Sequence, residues 1–369
     1  MVTQQKAKKL LYTLLLVLAA HSAEAGSFYI NPETEYVDGK GKTYNHLQPG
    51  DTLILEPGKR EAIAFANING AAGKSIVIMN GTGLCEINSA KLPYGISLRD
   101  CHYIKLCGAG WSKEAYGIKI AEVKHSGAGL GVSDKSDNVD VSFIEIAHTN
   151  GPGLLCKTDP TCSTDRWNSV QYNISIHNNY IHHTGTEGLY IGSTAFEGVP
   201  EKCDSVKKIL LPPLLIDVSV YDNTVDYTGW DGIQISNAQK VNCHGNKIYH
   251  DSQKQQEWQN CGLIIGGGAS GKFYNNTIAH GLGYGINCFG NDLVEITGNQ
   301  VTMDSAQKKC AIYLNDKLSN KATHYVVRGN LIITSFAPAI KAVNKRRNKP
   351  DEVIANKITG VLAEKAISY

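Results

Sequence analysis

One pattern is written twice in the middle of this chain, and it narrows the possible folds more than any other feature. Residues 173–193 read NISIHNNYIHHTGTEGLYIGS and residues 216–236 read IDVSVYDNTVDYTGWDGIQIS. Each copy runs apolar alternation, an Asn, a β-branched apolar residue two positions on, a Thr-Gly turn, a carboxylate, a Gly and a second alternating strand. The interval from Asn179 to Gly188 equals that from Asn223 to Gly232. The Asn recurs at Asn179, Asn223, Asn246, Asn276, Asn299 and Asn330, each with Ile or Val two positions later, while Ile144 takes the slot one coil earlier. A short fixed period built only from strands is the mark of a solenoid.

A single coil cannot bury the apolar side of strands such as 233–235 or 312–314. Stacked equivalents bury it and pair each backbone group with the coils above and below. Stacking also lines identical side chains into ladders, so the Asn column reads as structural, its amides bonded along a row. Few hairpin turns join adjacent strands, which disfavours a sandwich. The expectation is an all-β, single-domain parallel β-helix of about ten coils, with earlier strands at 75–79, 95–98, 102–106, 117–120 and 139–146.

Lys6, Lys8 and Lys9 precede an apolar run, Leu10 to Ala20, and then Ala23-Glu24-Ala25. This reads as a cleavable signal over residues 1–25, leaving a β-helix domain over 26–369 in a secreted or periplasmic protein. The run is too short to span a bilayer, and no membrane insertion is expected. A formal charge of +2 gives no reason to expect nucleic acid as a partner, and a monomer is expected. Cys162 and Cys203 lie in insertions leaving the same edge of adjacent coils and are expected to form a disulfide. Cys85, Cys101 and Cys107 are candidates to pair among themselves, and Cys288 reads as core.

The segments GDTLILEPG, KTDPTC, HTGTEGLYIGS, TGWDGIQIS and GLIIGGGASGKFYNN resemble the secreted right-handed parallel β-helix repeat proteins of the pectate-lyase-like superfamily, over roughly residues 28–360. The resemblance implies the fold. For function it implies only a range that includes lyases, hydrolases, epimerases and adhesins.

Glu187 and Asp231 hold one slot in successive coils, at about the ~4.8 Å strand spacing. Two carboxylates that close share a proton or hold a cation such as Ca²⁺. They would also suit a glycosidase pair, or simply cap backbone turns. Tyr190, Gln234, Asn287 and Tyr313 share outward parity and, with Trp230, would make a sugar-binding face. Lys157 falls on that face one coil before Glu187 and is a candidate base; its plain reading is a solvated lysine. The leading expectation is an enzyme that cleaves an acidic polysaccharide by Ca²⁺-assisted β-elimination. A glycoside hydrolase using Glu187 and Asp231, or a non-catalytic carbohydrate-binding surface protein, are the alternatives. His148, His183, His250 and His280, with Tyr227 in the same column, are expected as a stacked interior corner, with His182 facing outward. Lys345-Arg346-Arg347 reads as a solvated loop.

Overall fold

The computed structural model describes residues 25–110, 114–304, 308–316, 323–343 and 352–368. Lys345-Arg346-Arg347 and residues 1–24 of the expected signal lie outside these. Three long sheets of 13, 11 and 12 strands run the length of the molecule, and neighbouring strands in each come from successive coils. One coil passes through the first sheet at Val170–His177, the second at Tyr180–Thr184 and the third at Leu189–Ile191. The next coil repeats the path at Leu214–Tyr221, Thr224–Thr228 and Ile233–Ile235. All three pairs are parallel, with His177 opposite Tyr221, Tyr180 opposite Thr224 and Leu189 opposite Ile233. The third sheet's 12 strands exceed the coil number expected.

The core is a set of columns. Ile146, Ile181, Val225, Ile248, Ile278, Val301 and Ile332 stack inward from the second sheet, all buried. Leu189, Ile233, Leu263, Ile286 and Ile312 do the same from the third. Each such side chain contributes about 1.5–3 kcal/mol by leaving water. Where the second sheet turns into the third, the coil presses so close that a Cβ on Gly188 would stand 2.4 Å from Val225 and 2.6 Å from the Gly232 carbonyl. Only glycine fits there.

The Asn column forms a continuous hydrogen-bonded ladder. Asn179 donates both its backbone N–H and its side-chain amide to Asn223 Oδ1, at 3.1 and 3.0 Å. The same two bonds recur from Asn223 to Asn246, Asn246 to Asn276, Asn276 to Asn299 and Asn299 to Asn330, and the ladder runs on to Asn356. At the other end the Ile144 N–H donates to Asn179 Oδ1 at 3.0 Å. The residue before each Asn turns the chain with positive φ: Asn178, Asp222, Gly245, Asn275, Gly298 and Gly329. Phe143 does so with φ 56° and splits the expected strand 139–146 into Asp137–Ser142 and Ile144–Thr149.

The histidine column is not interior. His148, His183, Tyr227 and His280 are exposed, and His250 is half-buried. Outside the coil the rings of His183, Tyr227, His250 and His280 stack with centroids 4.3–5.5 Å apart, and His148 lies tilted against His183 at 5.1 Å. All five residues have positive φ, which turns each side chain to the opposite side from the one strand alternation assigns. Cys85, Cys101 and Cys107 form no disulfide.

Candidate functional site

The outward face of the third sheet is where loops, rings and amides converge. Backbone register places Tyr190, Gln234, Ile264, Asn287 and Tyr313 in one outward column across five successive coils. Long connections rise beside it. The loop after Cys156 and the loop after Ile191 are joined by the Cys162–Cys203 disulfide. The second loop carries an antiparallel hairpin, Val199–Cys203 with Val206–Leu210. Arg166 fixes these walls by donating to the Phe196 carbonyl at 3.0 Å and to Asn237 Oδ1 at 2.6 Å. A third loop, 251–260, presents Trp258, which is 74% exposed.

Between the walls lie two adjoining cavities that share Trp258 and Phe289. The larger, about 540 Å³, is lined by Phe196, Glu197, Gln234, Ser236, Asn291 and Asp316 among others. The smaller, about 330 Å³, is lined by Glu257, Asn260, Tyr284, Asn287, Lys309 and Tyr313. Three polar atoms in this groove are buried without a protein partner: Gln234 Nε2, Ser236 Oγ and Asn287 Oδ1. Three ammonium groups lie over tyrosine rings along the same face. Lys157 sits 5.4 Å from the Tyr190 centroid, Lys309 4.9 Å from Tyr284 and Lys341 6.0 Å from Tyr313.

Among the residues expected from sequence, Gln234, Asn287 and Tyr313 line the cavities and Tyr190 extends their column; half-buried Trp230 is not part of either lining. Lys157 reaches Asp159, with Nζ to Oδ1 2.8 Å. Glu187 and Asp231 do stack in successive coils, the Gly188 N–H donating to the Asp231 carbonyl at 3.0 Å, but only 1% and 0% of them is exposed. Asp231 Oδ1 accepts the Cys261 N–H at 2.8 Å, while Asp231 Oδ2 and Glu187 Oε1 have no protein partner. Burial pushes the Glu187 carboxyl above the ordinary range; burial, with Glu187 and Asp251 nearby, pushes Asp231 much further. Asp251, also enclosed, is raised by burial to about 7.

Ca²⁺ takes about six to eight oxygen ligands, several of them accessible carboxylates or waters. The pair offers two sealed carboxyls, and no three His, Cys, Asp or Glu side chains among the described residues converge as a cage would. The residues present do not fit a Ca²⁺ cage, whereas a retained proton suits them.

Sequence reasoning missed Trp258, Phe196, Phe289, Lys309, Lys341 and Asp316. Lys341 alone carried a usable signal, since it continues the outward column one coil beyond Tyr313. The others sit in loops or beyond strand ends, where alternation says nothing.

A model of the right-handed β-helix region matches residues 216–366. No curated protein matches the sequence. Among solved structures, the GH136 lacto-N-biosidase from Eubacterium ramulus aligns with TM-score 0.54 and 12% identity, covering 96% of this chain and 69% of that one. An alginate lyase from Paenibacillus sp. str. FPU-7 aligns with TM-score 0.53 and 12% identity, covering 93% of this chain and 97% of that one. Likeness at this identity is one of fold. No helix among the described residues is long and apolar enough to cross a membrane. The chain folds as a right-handed parallel β-helix.

Proposed function

We propose that the protein is a polysaccharide-active β-helix protein that holds an acidic glycan along the outward face of its third sheet. The observation that carries this reading is the set of buried, protein-unpartnered groups Gln234 Nε2, Ser236 Oγ and Asn287 Oδ1 between aromatic side chains. An unmet buried polar group costs about 1–3 kcal/mol, and sugar hydroxyls supply the missing donors and acceptors. Trp258 and Tyr313 offer ring surface to apolar sugar faces. The ammonium groups of Lys157, Lys309 and Lys341 favour a substrate with carboxylates over a neutral one.

Catalysis by Glu187 and Asp231 would require substrate to reach carboxyls the coil encloses, and neither lines the groove. β-Elimination is the reaction the lysine row suits best. An ammonium that neutralises a uronate carboxylate acidifies the neighbouring C–H, a neutral lysine of the row takes that proton, and the C–O bond to the leaving sugar breaks as its oxygen is protonated. Hydrolysis is the second reading, favoured by the carboxylates Glu197, Glu257 and Asp316 lining the groove.

The test is calorimetric titration with acidic and neutral oligosaccharides, followed by product analysis. Acidic chains should bind more tightly, and Gln234→Ala with Asn287→Ala should weaken binding about tenfold or more. Unsaturated products support elimination, and new reducing ends without unsaturation support hydrolysis. Equal binding by the double variant, or no glycan bound at millimolar concentration, contradicts the reading.

A further inference from the structure

The loop that carries Trp258 is firmly tied at both ends and barely tied between them. Its first residues are fastened to turns of the two preceding coils. The Ser252 N–H donates to the Trp230 carbonyl at 2.8 Å, Gln253 to Thr228 at 3.0 Å and Lys254 to Gly229 at 2.8 Å, while Lys254 Nζ reaches the Gly185 carbonyl at 2.7 Å. At the far end the Asn260 carbonyl accepts the Tyr284 N–H at 2.8 Å, and the Cys261 N–H donates to Asp231 Oδ1 at 2.8 Å. Between these anchors the span 256–259 has one hydrogen bond among the described residues, from the Gln259 N–H to the Gln256 carbonyl at 3.2 Å. Gln256, Glu257 and Trp258 are all exposed. A span with so few bonds and so little burial opens more readily than its surroundings.

The backbone of the span is left-handed at two places, Gln255 with φ 44° and Trp258 with φ 67°. A bulky side chain is rarely held in that conformation, and residues that are so held gather at ligand clamps and switch regions. The Trp258 indole is 74% exposed and still lines both cavities, as does nearly buried Phe289. Trp167, the other strongly exposed indole at 81%, lines neither.

An indole left in water over a groove gains by covering an apolar sugar face. That contact exists only with ligand in place, so it is the differential interaction a ligand must offer to shift a loop between two positions. We propose, resting on the glycan-binding groove above, that residues 256–259 are a lid between hinges at Gln255 and Asn260, and that it folds Trp258 down onto a sugar ring where the two cavities meet. The ligand it fits is a glycan that runs from one cavity into the other, since the indole borders both. Closure of such a lid shields the bound chain from water and holds it in register.

The experiment is tryptophan fluorescence of the full chain, at equilibrium and in stopped flow, titrated with oligogalacturonate and with alginate oligosaccharides. Binding should shift emission to the blue and protect it from acrylamide, and both signals should vanish in Trp258→Ala but persist in Trp167→Ala. The observed rate should level off as ligand rises, because closing follows binding; a fixed platform would give a linear rise. Affinity should fall about tenfold or more in Trp258→Ala and less than about threefold in Trp258→Phe, which keeps a ring. Without ligand, Trp258→Gly should have a higher urea midpoint than Trp258→Ala, because glycine takes the left-handed conformation freely. The same urea curves check that each variant is folded. No glycan bound by the unaltered chain overturns the groove reading and the lid with it. Binding with unchanged emission, a linear rate, equal affinity in folded Trp258→Ala, or a midpoint no higher in Trp258→Gly overturns the lid alone.

Discussion

Three carboxyls illustrate what a single residue costs inside this coil. Glu187, Asp231 and Asp251 are enclosed, and burial raises all three. The folded state keeps protons that the unfolded chain has already released near pH 4, so the contribution of these three groups to stability is greatest in acid and falls as pH rises. For Asp251, raised from 3.8 to about 7, the loss between those values is about 4 kcal/mol. Urea melts from pH 4 to 8 should show this decline, and Asp251→Asn should flatten it. Stability that rises over the range contradicts the assignment. Sequence alone placed Glu187 and Asp231 in one slot but could not say which way they faced, because the turn before Gly188 and Gly232 breaks alternation. The histidines failed for a related reason. One left-handed residue at the end of each second-sheet strand reverses the side chain that follows the count.

At the scale of the element, the Asn ladder was the most legible feature, because the Asn, the Asn, Asp or Gly before it and the apolar residue after it all recur. Its energetics follow from its bonds. Asn246 Oδ1 accepts two hydrogens from Asn223, and Asn246 donates two to Asn276. Asn246→Ala should cost about 2–4 kcal/mol, since it leaves buried donors unmet. Asn356→Ala, at the half-exposed end of the ladder, should cost about 1 kcal/mol or less. The urea midpoint should move in that order at constant slope; equal effects would mean the ladder does not act as a buried chain. Strands were legible where alternation held. The break at Phe143 was not, because no Gly, Asn or Asp marks that left-handed turn.

At the scale of the whole molecule, the stacking that makes the core also makes the groove. Equivalent outward positions become a row, and the loops between strands become its walls. The row could be read from parity, giving Tyr190, Gln234, Asn287 and Tyr313. The walls could not, since no periodicity says how loops 192–213 and 251–260 fold over the face or that Trp258 and Phe289 come to line the same cavities. Hydrogen exchange with and without a bound acidic oligosaccharide tests the central claim most directly. The account predicts slowed exchange in loops 192–213 and 251–260 and in strand Tyr284–Cys288, with the first sheet unchanged; protection confined to the first sheet, or no protection under saturating ligand, would contradict it.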